Sequence, residues 1–292
     1  MKLILENVLI FGAYGRLGVQ LSRFLENTHN VIKVGRNKDA QVSIGNLTIQ
    51  TIEELLLSHN VTVVINLIAN TNVDGCENYP ETAFVANSII PHYISAAVNR
   101  VGGDIFVLHI STDQVYSGKT FHKEEEFNPC NVYGVSKFSG ELSVANSSSV
   151  CVLRTNYFGL SRAANSESYL DWLTSSIAGR QEIPVFQNVF FTPVGCSRLC
   201  SMILRLIGKK LVGTYNFGSS RVISKAEFAE IVANKLGIDN PNFIYSDYAS
   251  NSNIKRPLDM SMDSNKLLTE LLFDPVVVED DISYELSKMS VR

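Results

Sequence analysis

The chain has 292 residues, 45% of them hydrophobic, with 29 acidic against 25 basic side chains and a formal charge of −4. A sizeable core is affordable at that composition and bulk disorder is not. The mild acidity, without any basic run, argues against a nucleic-acid partner, and five scattered cysteines with no CxxC argue for buried thiols in a reducing compartment, not a metal site.

The opening MKLILENVLIFGAYG reads as a strand over residues 8–11 and not as a signal peptide, because a lysine and a glutamate precede any long apolar run. No apolar stretch reaches the roughly 18 residues needed to span a bilayer. A cytoplasmic protein with no membrane partner is the expectation. Leu17, Leu21, Phe24 and Leu25 recur at helical spacing. Residues 31–34 predict a second strand, 52–57 a short helix, and the β-branched VTVVINL at 61–67 a buried strand. Helical patterning runs over 82–101, where Pro91 interrupts it or marks a join. IFVLHI at 105–110 is a further buried strand, 133–145 a helix and 150–153 a strand. Uniformly apolar strands separated by helices mean a parallel sheet covered on both faces, the doubly wound, Rossmann-type α/β class.

Residues 1–155 form this NAD(P)-binding domain in our reading, with 190–225 returning to it. Residues 156–189 and 226–292 make a smaller C-terminal substrate-binding α/β portion. Helices are expected over 169–178, 197–207 and 225–236, and strands over 183–186 and 214–217. Ser224 and Glu227 spell a capping box before the last helix, and Gly237 is placed to end it. From 242 onward the pattern is loop-rich. With no repeat and no low-complexity linker, the halves are expected to share a cleft.

Gly12, Gly15 and Gly18 punctuate the turn between the first strand and first helix, as GxxGxxG instead of the commoner GxGxxG. Glycines there let the backbone approach a pyrophosphate, and the helix N-terminus faces it with free N–H groups. The second strand ends VGRNK, placing Arg36 where an acid would hold ribose hydroxyls. Arg36 with Lys38 suits a 2′-phosphate; a surface arginine stacked on adenine is the alternative. Ser111-Thr112-Asp113 follows IFVLHI, at the strand end where this class binds ligands, although such residues also cap turns.

Tyr133 and Lys137 stand four apart in NVYGVSKFSGE, which on a helix brings their Cβ atoms to roughly 5–6 Å on one face. A free phenol has a pKa of about 10, and lowering it by about two to three units takes roughly 3–4 kcal/mol of differential stabilisation. A neighbouring ammonium supplies part of that. Such an acid can protonate a developing alkoxide, typically for a factor of about 10²–10⁴ in rate.

The glycine triad, Ser-Thr-Asp and Tyr-x-x-x-Lys together resemble the extended short-chain dehydrogenases/reductases. NVDGCE (72–77), STDQVYSG (111–118), NVYGVSKFSGE (131–141), Arg154-Thr155 and RPLDMSMDSNKL (256–267) are similar, in that order, to the dTDP-4-dehydrorhamnose reductase family, over residues near 7 to near 270. The resemblance implies reduction of the C4 ketone of a nucleoside-diphosphate 4-keto-6-deoxy sugar by NADPH or NADH, for deoxysugar and polysaccharide synthesis. It implies Tyr133 as general acid, Lys137 as its tuner and holder of the nicotinamide ribose, and Thr112 positioning the carbonyl. Gly12, Tyr14, Gly15, Arg16, Leu17, Gly18, Arg36, Asn66, Ala69 and Asn70 would border the cofactor. Asn87, Asp113, Gln114, Tyr157 and Arg256 would border the substrate, with Arg256 on the pyrophosphate or else in a surface ion pair.

The chain departs from the family pattern in three places. Gln114 replaces an aromatic, Asn156-Tyr157 stands where tryptophan is common, and Gln20 replaces the glutamate of magnesium-using dimers. No metal site is therefore expected, while a homodimer stays open. Gln114 after Asp113 also disfavours a dehydratase, which wants an acidic pair. The other readings are a nucleotide-sugar epimerase of the same superfamily and a non-catalytic, NADP-binding regulatory subunit of the methionine adenosyltransferase type. His109, inside a buried strand, reads as a satisfied core residue.

Overall fold

Val8 to Phe11 show no polar alternation, and all four are buried in β1 (Asn7–Phe11), as a strand covered on both faces requires. The computed structural model describes residues 6–35, 40–43, 47–118, 120–145, 147, 149–163, 166–249 and 254–291. After β1 come α1 (Arg16–Leu25), β2 (Asn30–Gly35), β3 (Val42–Ser43), α2 (Ile49–Ser58), β4 (Val63–Asn66) and α3 (Val73–Asn78). Next are α4 (Pro80–Phe84), a π-helical turn (Val85–Ile89), α5 (Ile90–Val101), β5 (Phe106–Thr112), α6 (Val132–Val144) and β6 (Val150–Thr155). Then follow β7 (Tyr157–Phe158), α7 (Tyr169–Ala178), β8 (Ile183–Phe186), β9 (Phe190–Phe191), β10 (Val194–Gly195) and α8 (Cys196–Lys209). The chain closes with β11 (Gly213–Phe217), β12 (Ile223–Ser224), α9 (Lys225–Lys235), β13 (Phe243–Ser246), α10 (Asn265–Leu271) and α11 (Val278–Ser287).

A seven-stranded sheet has the order β11-β6-β5-β4-β1-β2-β3. The β1–β2, β1–β4, β4–β5 and β2–β3 pairs are parallel. The chain moves to one side of β1 through β2 and to the other through β4, which makes the carboxyl end of β1 a topological switch point. The chain divides into two compact units. The first comprises Met1–Ser111, Asn131–Leu153 and Met202–Thr214, and the second Thr112–Cys130, Arg154–Ser201 and Tyr215–Arg292. Leu9, Phe11, Ile32, Val64, Ile94 and Val107 belong to the first unit's core, and Phe158, Leu173, Ile183, Phe191, Phe228 and Ile282 to the second's.

The helical pattern over 82–101 is realised as one run with a π turn inside it, and the residues give the cause. Pro91 has no N–H for the Asn87 carbonyl, and its ring crowds that oxygen. The freed carbonyl meets α6 at Gly140, where an added Cβ would overlap Asn87 O. Pro91 and Gly140 thus form one packing device.

The region beyond 242 departs from the loop expectation, since it contains β13, α10 and α11. β13 pairs with β8 in parallel; it has strand-forming residues in Phe243, Ile244 and Tyr245, but its four side chains are all exposed or half-buried and show no buried face. In α11 two acids face inward: Asp281 accepts from Gly195 N (2.8 Å) and Arg198 Nε (2.5 Å), and Glu285 accepts from Ser197 N (2.8 Å). They satisfy donors at the start of α8, and in the sequence they look like solvent-facing charges. The capping box of α9 forms by half. Ser224 Oγ accepts from Glu227 N at 3.0 Å, while the Glu227 carboxylate turns to Arg221.

Candidate active site

In the first unit, the glycine turn has the geometry its spacing implies. Gly12 adopts φ +79°, Gly15 N donates to Gly12 O at 3.1 Å, and an added Cβ on Gly18 would overlap Gly12 O. Gly15 caps α1 with no side chain, and the first turn of α1 holds no acid. Its N–H groups are left for an external anion, so the turn fits a dinucleotide pyrophosphate. Arg16 is exposed at this turn and Leu17 is buried below it. Tyr14 takes a bracing position: its ring covers Gly35 and its hydroxyl accepts from Gln41 N at 2.7 Å. Arg36 and Lys38 lie outside the described residues.

Asn66 ends β4. Its Oδ1 accepts from Ile68 N (3.1 Å), which turns its Nδ2 toward His109 Nδ1 (3.0 Å). His109 Nδ1 is thereby the acceptor and Nε2 carries the proton. Burial first, and then the Lys137 charge, hold the His109 pKa well below the usual range, so the ring is neutral. Its Nε2 is buried with no hydrogen-bond partner, so His109 is only half satisfied. Ala69 and Asn70 are half-buried on the following segment. Asn87 does not present its amide to a cleft. It is fully buried, accepts from Asn70 N (2.8 Å), and donates to Asn70 O (3.1 Å) and Ser136 Oγ (2.9 Å). It clamps the Asn70 segment to α6.

Helix α6 is tied at its start by two acceptors. Asn131 Oδ1 receives Gly134 N at 2.8 Å, and Glu77 Oε1, from NVDGCE, receives Val132 N at 2.7 Å. The helix inverts the usual polarity. Its charged residues Lys137 and Glu141 are 2% and 4% exposed, whereas Val135 and Leu142 are 42% and 59% exposed. Tyr133, 7% exposed, shares the buried side with Lys137. Lys137 Nζ donates to Ile110 O on β5 at 2.7 Å, and Ser111 Oγ donates to Glu141. Burial pushes the Lys137 pKa down to about 8, with Glu141 pulling the other way. The ammonium therefore persists at neutral pH and is lost not far above it.

In the second unit, Thr112 ends β5 and caps the short 3₁₀ turn Asp113–Val115. Its Oγ1 accepts from Gln114 N (3.2 Å) and donates to Asp113 Oδ1 (3.1 Å). Asp113 Oδ2 accepts from Asn156 Nδ2 at 2.5 Å. Burial raises the Asp113 pKa to about 6 against the pull of Asn156, Lys225 and Thr112. Gln114 and Tyr157 are half-buried, Tyr157 lying in β7 opposite Val194, and Arg256 is exposed. A buried knot fixes the loop after Asp113. Arg154 donates to Tyr116 Oη and to Glu124 O, both at 2.7 Å, and Tyr116 Oη donates to Asn216 Oδ1 at 2.8 Å.

Several of these residues had no role in the sequence reading. Glu141 could have been found from its four-residue step beyond Lys137, and Glu77 from its place in a quoted motif. Asn156 was visible in the sequence only as a departure from the family pattern, because its partner Asp113 is remote in the chain.

The family described as RmlD substrate binding domain matches residues 6–290. The probable low-salt glycan biosynthesis reductase Agl14 of Haloferax volcanii is 28% identical over 290 residues, covering 94% of this chain and 95% of its own. The dTDP-4-dehydrorhamnose reductase of Escherichia coli is 27% identical over 245 residues, 80% of each chain. Among solved structures, dTDP-4-dehydrorhamnose reductase from Bacillus anthracis, in complex with NADP, superposes with a TM-score of 0.87 at 24% identity, covering 98% of this chain and 100% of that one. At that identity the likeness establishes the fold.

Proposed function

Because the chain belongs to the RmlD substrate binding domain family, we propose that it is an NAD(P)H-dependent reductase of the C4 ketone of a nucleoside-diphosphate 4-keto-6-deoxy sugar, serving polysaccharide synthesis in the cytoplasm. Support for the reading comes from curated relatives that are a glycan biosynthesis reductase and a dTDP-4-dehydrorhamnose reductase. No helix among the described residues is long and apolar enough to cross a membrane.

The observation that carries the proposal is Lys137. A lysine 2% exposed, anchored on a strand carbonyl one helical turn from a buried tyrosine, keeps its charge against the cost of burial, as groups at functional sites do. Its ammonium favours the phenolate of Tyr133 and holds the cofactor ribose. A nicotinamide held there would supply hydride to the carbonyl carbon. Tyr133 gives its proton to the resulting oxygen, and Thr112, turning its O–H away from Asp113 Oδ1, donates a hydrogen bond to that oxygen. Gly12, Gly15 and Gly18 receive the pyrophosphate, with Tyr14 bracing the turn and Arg16 and Leu17 opening the helix behind it. Asn66, Ala69 and Asn70 run along the cofactor. Arg36 meets its ribose phosphate, so NADPH is preferred over NADH. Asp113, Gln114, Tyr157 and Arg256 contact the nucleotide sugar, and Asn87 acts through Asn70. The uncharged outward face of α6, with Val135 and Leu142, supports a homodimer, which analytical ultracentrifugation would detect.

The test is NADPH oxidation with a panel of 4-keto-6-deoxy nucleotide sugars. Turnover of at least one is expected. Retained cofactor binding without oxidation of any would contradict the enzyme reading and favour a regulatory one.

A further inference from the structure

Every residue of β5 is buried, and His109 sits in the middle of the strand with no exposure at all. It lies directly opposite Asn66 in the β4–β5 pair, and its Nδ1 accepts from Asn66 Nδ2 at 3.0 Å. Its Nε2 carries a proton that meets no acceptor among the described residues. A buried donor without a partner is costly, and packing alone would be served better by an apolar side chain. The ring is kept for its other nitrogen.

Asn66 passes that contact on. An amide has one accepting end and one donating end. With Nδ2 fixed on the ring, Oδ1 is fixed on the N–H of Ile68, at 3.1 Å. Rotated by a half-turn, Asn66 would set a donor against that N–H. An imidazole with a proton on Nδ1 would favour the wrong rotation. Burial, and then the Lys137 charge, keep the ring neutral, which leaves the Nδ1 lone pair free for Asn66.

The peptide held in this way is a wall of the glycine turn. Leu67 N donates to Phe11 O at 3.0 Å, one residue before Gly12. A Cβ on Gly12 would lie 3.1 Å from both Ile68 N and Leu67 C, and 3.2 Å from Leu67 O. The two backbones therefore touch with no side chain between them. Any rotation of the Leu67–Ile68 peptide moves its atoms against Gly12, and with Gly12 the turn that faces the pyrophosphate.

We propose that His109 is a positioning residue for the dinucleotide: through the Asn66 amide it holds the Leu67–Ile68 peptide where the Gly12–Gly18 turn can take a pyrophosphate. The proposal rests on the cofactor half of the reductase reading. It goes beyond that reading by assigning a role to a fully buried residue that acts from behind the binding surface.

Three substitutions separate the two ring nitrogens. His109→Asn keeps an amide oxygen near the Nδ1 position, His109→Gln puts its amide at the Nε2 end, and His109→Leu keeps bulk with neither. The readouts are NADP⁺ binding by calorimetry, urea denaturation, and NADPH oxidation with the sugar panel. His109→Leu and His109→Gln should weaken NADP⁺ binding about tenfold, the loss of roughly one hydrogen bond, and raise the KM for NADPH more than they lower kcat. His109→Asn should stay within about threefold of wild type. On an Asn66→Ala background, His109→Leu should weaken binding no further, because the two residues act as one unit. Where a variant does not fold, the ¹⁵N imidazole signals of His109 in wild type decide. A neutral Nε2–H tautomer is expected, and an Nδ1–H tautomer or an imidazolium at neutral pH overturns the inference. Affinities that track the urea midpoints of the variants, and not the acceptor at the Nδ1 position, also overturn it. Unchanged NADP⁺ affinity in folded His109→Leu does so too, while the reductase reading stands. Acceptor-dependent NADP⁺ binding without turnover of any sugar removes the reductase reading and leaves the positioning role. No NADP⁺ binding by wild type overturns both.

Discussion

The two units hold their candidate site groups by different means. In the first, the partners are mostly backbone. Lys137 reaches Ile110 O, Asn87 brackets the N–H and C=O of Asn70, and Asn131 and Glu77 take N–H groups of α6. In the second, side chains from distant segments take a larger share: Asp113 with Asn156, and Arg154 with Tyr116 and then Asn216, although Arg154 also reaches Glu124 O. Backbone groups are present whatever the sequence, so a motif residue finds its partner as soon as the fold forms. A side-chain pair needs both residues chosen together. The first arrangement gives a fixed frame, and the second gives a surface whose chemistry changes with single substitutions.

The frame should break most sharply where backbone meets backbone. Gly140→Ala places a methyl group against Asn87 O. It should cost about 3 kcal/mol, an overpacking penalty outweighing the roughly 1 kcal/mol gained in helix propensity. Urea denaturation checks this, and an unchanged midpoint would mean that α6 and the π turn slide freely.

Lys137→Met sharpens the comparison through pH. A lysine whose pKa falls on folding destabilises the folded state wherever it must stay charged. That cost is full below the folded value of about 8 and vanishes above the ordinary 10.5. Between pH 7 and pH 10, wild type should therefore gain about 2–3 kcal/mol relative to the variant. The same titration should make wild-type turnover fall as pH rises through about 8, provided the chemical step is limiting. Denaturation series on both proteins and a pH–rate profile test the two halves.

The smallest effect belongs to the second unit. Ser168 Oγ accepts from Asp171 N at 3.0 Å, and the Asp171 carboxylate returns to Ser168 N at 3.0 Å. Ser168→Ala should cost about 1 kcal/mol, with NADP⁺ binding unaltered. A loss of cofactor affinity in this variant would blur the distinction between frame and surface.

The same contrast explains what could be read in advance. The strands of the sheet were legible because burial on both faces makes them uniformly apolar, as in VTVVINL and IFVLHI. The Tyr133–Lys137 pair was legible because helical spacing alone fixes it. The π turn was half legible: Pro91 announced a disturbance, but its resolution against Gly140 needed tertiary packing. α11 was not legible, since its inward acids Asp281 and Glu285 mimic a solvated face. Asn156 was legible only as a departure from the family pattern, since its role depends on a carboxylate elsewhere in the chain.

The account turns on the phenol of Tyr133 as the proton donor. The most direct measurement is the single-turnover rate of Tyr133→Phe with NADPH and a 4-keto-6-deoxy nucleotide sugar that wild type reduces. A fall of about 10²–10⁴-fold is predicted, with NADPH affinity within about threefold of wild type. A rate equal to wild type would contradict the account.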